Sequence, residues 1–247
     1  VGGLIGYSKP SGQAITIQNC DVTGTISATE TYVGGLIGSL NFDADVSVLN
    51  SHAMGSVSGV LRTGGLIGQV NRFGNSTLLL DANYTNVLVY GSSSYTGGLI
   101  GDFTSLGVGF ATIVNNYVLG TVSGRNYTGG FIGHLLVGGK MSVYSSFVTN
   151  SYVNGGVFTG GFVGTASTNL GGEIYIFDNF MTTTRVQGTD YVAGLLGRAY
   201  NDGLKFNIGR NVISAPVTNT SPTAANVGGV IGYSYALWDN GSNYFNR

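Results

Sequence analysis

The chain has 247 residues, of which 43 are glycine and only 9% are charged, against about 25% in an ordinary soluble domain. With 10 Lys and Arg against 11 Asp and Glu, it carries no cationic footprint for nucleic acid or anionic lipid, whose binding runs on counterion release. Hydrophobic residues at 43% exclude disorder, the lack of a Gly-X-Y period excludes collagen, and no apolar run is long enough for a membrane-spanning helix.

In chain order, the sequence repeats itself. A Gly-Gly-Leu-Ile-Gly signature stands at residues 2–6, 34–38, 64–68 and 97–101. It continues at 129–133 with Phe131, at 160–164 with Phe162 and Val163, at 193–197 with Ala193 for the first Gly, and at 228–232 with Val230. Successive starts lie 32, 30, 33, 32, 31, 33 and 35 residues apart. Eight units of about 32 residues therefore fill residues 1–247 as a single repeat array. The signatures hold 23 of the 43 glycines, so glycine marks a position in the repeat and not a flexible linker.

Alternation and Val, Ile, Tyr and Thr content predict three short strands per unit, at residues 1–6, 14–18 and 24–27 in the first. Alignment on the signature brings further positions into columns. One is small and polar: Cys20, Ser51, Asn83, Asn116, Ser146, Asn179, Asn211 and Asn243. The next reads Asp21, His52, Tyr84, Tyr117, Phe147, Phe180, Val212 and Tyr244, and the one after it Val22, Ala53, Thr85, Val118, Val148, Met181, Ile213 and Phe245. A fourth includes Ile26, Val57, Val89, Val122, Tyr152 and Val217, while residues 181–187 resist alignment. If each unit is one turn of a parallel β-solenoid, equivalent residues lie about 4.8 Å apart and like packs on like. A column of Asn at a bend then forms a polar ladder, pairing groups that the turn would otherwise bury unsatisfied. A propeller blade needs about 40 to 45 residues and four strands. The expectation is an all-β parallel β-solenoid, or β-helix, of about eight three-sided coils.

The signature, an Ile/Val stretch about a dozen residues on, an Asn turn and a Gly-x-Val/Ile-x-Gly return together resemble the GLUG-motif repeats, as residues 114–130 show well. The resemblance covers essentially the whole chain and departs at Ala193 and around residues 181–187. It implies a module of a large secreted or surface protein, adhesin-like, located extracellularly or at the cell surface, and it carries no catalytic residues. The sequence starts inside a signature, stops partway through a unit and shows no polar cap, so it reads as a segment of a longer chain.

In the signature the Ile/Val/Leu column falls on one face and the Leu/Phe column on the other, with both apolar. Leu36, Leu66, Leu99, Phe131, Phe162 and Leu195, joined by Tyr95, Tyr127 and Phe158 two residues upstream of their signatures, form a stripe with two readings. Either the chain covers it, by its own loops or by a Gly-Gly bend that turns both columns inward, or it is an assembly surface for another protomer or fibre. Asp102, His134 and Thr165 share one offset in consecutive units, an order that could align a carboxylate, an imidazole and a hydroxyl. Tyr7, Ser39, Gln69, Arg198 and Tyr233 complete the column as a generic polar row, however, and no nucleophile elbow or oxyanion device accompanies it. The remaining acids form no neighbouring pair apart from Asp43 and Asp45, read as a solvated loop. His52 reads as a stacked ring and Cys20 as a small side chain of the ladder. Two His and one Cys make no zinc set, and no cofactor is expected. Thr63, Thr96, Thr128 and Thr159 make a single Thr column, where an ice-binding face would want two. Sequons stand at Asn75, Asn83, Asn126, Asn219 and Asn240; Asn75, Asn126 and Asn240 are the glycosylation candidates, Asn83 being claimed by the ladder.

These readings converge on a non-enzymatic structural or adhesive extracellular module, a segment of a surface fibre. Its partners would be copies of itself, neighbouring segments of the same fibre, or glycans. The alternative is a carbohydrate-binding or polysaccharide-degrading β-helix, which requires an acidic or aromatic groove on one face.

Overall fold

The computed structural model describes residues 1–29, 31–169, 171–183, 185–200, 205–222 and 226–235. Strands of successive coils pair in parallel, one coil apart, in four sheets of eight, seven, nine and seven strands. The parallel β-solenoid expected from the repeat is the fold. The eight strands of the first sheet bound seven full turns. The third coil illustrates the path: Ile67–Arg72 in the first sheet, Leu78–Asp81 in the second, Tyr84–Gly91 in the third and Ser94–Gly97 in the fourth.

The expected three walls become four because the signature, read as one straight strand, is folded in two. At the fold the carbonyl of Leu66 accepts from both Leu36 N (2.9 Å) and Ile37 N (3.0 Å), and that of Leu99 accepts from both Leu66 N and Ile67 N (2.9 Å each). Two consecutive side chains then point the same way, which a straight strand forbids. The apolar stripe is therefore not on the surface. Leu36, Leu66, Leu99, Phe131 and Phe162 are fully buried and Leu195 is 1% exposed, with the Phe131 and Phe162 rings stacked at 4.6 Å inside the core.

Two signature glycines make this fold possible. A Cβ on Gly98 would lie 2.1 Å from the Gly130 carbonyl oxygen of the next coil and 2.5 Å from Val118 Cγ1. A Cβ on Gly133, on the outer side, would lie 2.6 Å from Gly101 O and 2.7 Å from Thr96 N. The outer faces of the fourth and first sheets thus meet backbone to backbone in a re-entrant corner that only glycine allows. Ala193 keeps the register of the first signature position, pairing with Gly160 and Gly228.

The third sheet corrects two alignments. The strand Phe147–Asn154 holds one extra residue relative to Tyr117–Ser123, and the register shifts between Gly120 and Thr121. Val122 therefore pairs with Val153, which is buried, while Tyr152 faces outward and donates its hydroxyl to Gln187 Oε1 at 2.9 Å. Around residues 181–187 the strand breaks into Phe180–Thr182 and Val186–Gly188, and Val186 continues the core column opposite Val153. Arg72 is a surprise of the interior. Its fully buried guanidinium holds two loops together by donating from Nη1 to Ser76 O (2.8 Å) and from Nη2 to Ser105 Oγ and Gly107 O. Burial, unrelieved by any acid, pushes its pKa down.

Candidate functional site

Three longitudinal features carry the chemistry, and the first is the polar ladder between the second and third sheets. The residue before each rung takes a left-handed φ, from 43° at Asn50 to 55° at Asp178, and so turns the rung inward. Ser51 N donates to Asn83 Oδ1, Asn83 N to Asn116 Oδ1, Ser146 N to Asn179 Oδ1 and Asn179 N to Asn211 Oδ1, all at 3.0 Å. Asn116 N reaches Ser146 Oγ at 3.3 Å. The Asn amides also donate to carbonyls inside the bend, as Asn116 Nδ2 does to Leu80 O (3.0 Å) and Val114 O (2.7 Å). Cys20 fits the first rung, with its amide on Ser51 Oγ at 3.2 Å and its thiol directed to Gln18 O at 3.3 Å. Asn243 lies outside the described residues.

The second feature is an outer seam along the re-entrant corner. Two residues before the signature, half-buried side chains stack from coil to coil: Tyr95 on Tyr127 and Tyr127 on Phe158 at 5.0 Å, and Phe158 on Tyr191 at 5.1 Å. Arg62 takes the place of a ring in this column, its guanidinium 5.3 Å from the centroids of both Tyr32 and Tyr95. Tyr95, Tyr127 and Phe158 are the members of the expected stripe that do face outward.

Beneath the stack runs the outward row of the first sheet, where Asp102 and His134 pair in register and His134 pairs with Thr165. Asp102, 3% exposed, accepts from Arg62 Nε at 2.7 Å, Gln69 Nε2 at 3.3 Å and Thr104 Oγ1 at 3.5 Å, and its Oδ1 lies 2.7 Å from His134 Nδ1. Burial pushes the carboxyl up, but the hydrogen bonds and charges of His134 and Arg62 prevail and hold it below the usual carboxylate range. The imidazole packs 4.9 Å from the Tyr95 ring and 6.1 Å from Tyr127. Burial, then the nearby Asp102 charge, pushes the Tyr95 phenol up against the opposing Arg62. The sequence thus located a real carboxylate–imidazole pair. Thr165, 4% exposed, makes no hydrogen bond to the ring. What the sequence reading passed over was Arg62, although its offset placed it in the aromatic column. Arg62, Gln69 and His134 tie three coils to one buried carboxylate, an arrangement that clamps the seam.

The third feature is an open cavity of about 380 Å³ on the outward face of the second sheet, bordered by Tyr144, Tyr175 and Phe177. Sequence reasoning missed it, although the residues just before the left-handed bend form a column of their own.

The remaining candidates fall into structural places. His52 stands edge-on to Tyr84 at 5.9 Å and within 2.7 Å of Asp21; further along the same column Phe147 stacks between Tyr117 (4.5 Å) and Phe180 (5.2 Å). Asp43 and Asp45 are exposed; Asp43 accepts from Ser11 Oγ and Asp45 from Thr77 N, and the Thr77 side chain, then its amide, hold the Asp45 carboxyl low. Thr63, Thr96, Thr128 and Thr159 are fully buried, so they form no ice-matching face. Asn75 is exposed in a turn, Asn126 is half-buried in a strand, Asn83 is fully buried, and Asn240 lies outside the described residues. Among the described residues no three His, Cys, Asp or Glu side chains gather to hold a metal ion. No protein-family model, curated protein or solved structure matches the chain.

Proposed function

We propose that this chain is a load-bearing module of an extracellular or cell-surface fibre, as its resemblance to the GLUG-motif repeats implies. The observation that carries the reading is the continuity of its columns. From Cys20 to Asn211 the bend amides bond in turn to a side chain of the next coil, and the core and outer seam run parallel to that ladder. Such an array derives its stability from neighbour-to-neighbour contacts and extends by adding coils. The Asp102 cluster supports a structural role as well, since the carboxylate is occupied by donors from the seam itself.

Pulling the chain by its two ends in a force microscope tests this. Each coil should resist and then release as a unit, lengthening the chain by about 110 Å per 32-residue turn. A smooth extension without force peaks would overturn a load-bearing role.

A further inference from the structure

We infer that the outward face of the second sheet, in the fifth to seventh coils, binds a neutral saccharide in the cavity between Tyr144 and Phe177. The register pairs Tyr144 with Phe177 and Phe177 with Gly209. In the five stacked pairs of the outer columns, rings on neighbouring coils lie 4.5 to 5.2 Å apart. Tyr144 and Phe177 do not stack. The Phe177 ring leans the other way, over Gly209, where a Cβ would stand 2.6 Å from its Cε1, and the Arg210 guanidinium lies 5.6 Å from its centroid. Gly209 is therefore what lets the ladder open, and the opening is the cavity of about 380 Å³. That volume falls at the small end of ligand sites, which run from about 300 to 1,000 Å³.

Its lining carries three charges, those of Lys140, Asp178 and Arg210, with Glu173 and Lys205 beyond it. Asp178 receives Nε and Nη2 of Arg210 at 2.7 and 2.6 Å, Glu173 accepts the Tyr175 hydroxyl at 2.8 Å and faces Lys205 at 3.4 Å, and the Lys140 ammonium lies 4.6 Å over the Tyr175 ring. An ionised carboxylate has about four lone-pair sites, so Asp178 can still accept from a ligand while paired. Aromatic floor and hydroxyl-seeking rim are the two halves of sugar recognition. The C–H face of a pyranose packs on the negative face of an aromatic ring, and its equatorial hydroxyls both donate to carboxylates and accept from cations. A purely apolar ligand would leave the lining charges unmatched, and an anion would have to compete with Asp178 for the Arg210 guanidinium.

The full chain should be titrated with cellotriose, maltotriose and mannotriose, with trigalacturonate as the acidic comparison, following saturation transfer from protein to sugar protons. At least one neutral trisaccharide should receive saturation on its ring C–H groups. Tyr144→Ala, at a side chain that is already exposed, and Phe177→Leu should each weaken binding about tenfold while circular dichroism is unchanged. Leu88→Ser, on the third sheet, should leave it intact. The inference is overturned by no transfer to any neutral sugar, by transfer to trigalacturonate alone, or by unaltered binding in Tyr144→Ala. None of these outcomes bears on the force measurement, so the two proposals fail separately.

Discussion

At Asn116 four hydrogen bonds converge on one buried amide: its Oδ1 accepts from Asn83 N and Nδ2, and its Nδ2 donates to Leu80 O and Val114 O. Removing it strands the buried Asn83 N–H and takes a donor from Leu80 O and Val114 O, although Val114 O keeps Ala82 N at 3.3 Å; an unsatisfied buried group costs about 1 to 3 kcal/mol. Asn116→Ala should lower stability by about 3 kcal/mol in urea titrations and speed amide exchange at Asn83. Asn116→Ser should cost about 1 kcal/mol, because Ser146 already serves as a rung through its hydroxyl. Equal losses for the two variants would show that the site needs bulk and not the bond. The ladder was legible in the sequence because a solenoid converts a repeat column into a spatial stack, so identity at one offset means contact. The clamp on Asp102 was only half legible. His134 lies in the same column, one coil on, but Arg62 belongs to a column of rings and reaches the carboxylate across 40 positions of sequence. An offset alignment shows which residues stack, and it does not show which ones bend across to a neighbouring column.

At the scale of elements, the signature left two readings, a surface stripe or a Gly-Gly bend that turns both columns inward, and the structure has the bend. Period-two alternation assigns successive residues to opposite faces, and it holds only while a strand stays straight. Leu36 and Ile37 both face the core because their amides share one carbonyl, so a stripe that alternation placed outside is inside. The clue available was that both columns are apolar and both are preceded by paired glycines. The bulge in Phe147–Asn154 misplaced Tyr152 for a related reason, since one extra residue moves every later side chain to the other face. A test of the bend follows from the close approach at Gly98. Gly98→Ala sets a methyl against backbone and a core Val and should cost about 3 kcal/mol in urea titrations. Gly6→Ala, in the first coil, meets nothing within 4 Å and should be near neutral. Equal tolerance of both would mean that the corner is looser than its contacts imply.

For the molecule as a whole, the unit of folding is the coil, because among the described residues every strand pairs with its equivalent about 32 residues away and none pairs with a more distant part of the chain. This makes the array divisible at equivalent points and nowhere else. Deleting residues 129–159 joins Thr128 to Gly160, a junction with the same sequence of positions as the natural one at Thr159 and Gly160. Val163 then takes the place of Ile132 opposite Ile100, and Asn179 Oδ1 replaces Ser146 Oγ as acceptor for Asn116 N. Asp102 loses His134 but keeps Arg62 and Gln69. The shortened chain should retain its β-sheet circular dichroism and a cooperative melt, with a modestly lower midpoint. Deleting residues 129–144 instead removes the first and second walls of one coil and runs a fourth-sheet strand directly into a third-sheet strand. The flanking coils cannot then close on one another, and that chain should aggregate or lose its sheet signal. If the half-coil deletion folded as well as the whole-coil one, columns of stacked neighbours would not be what holds the molecule together.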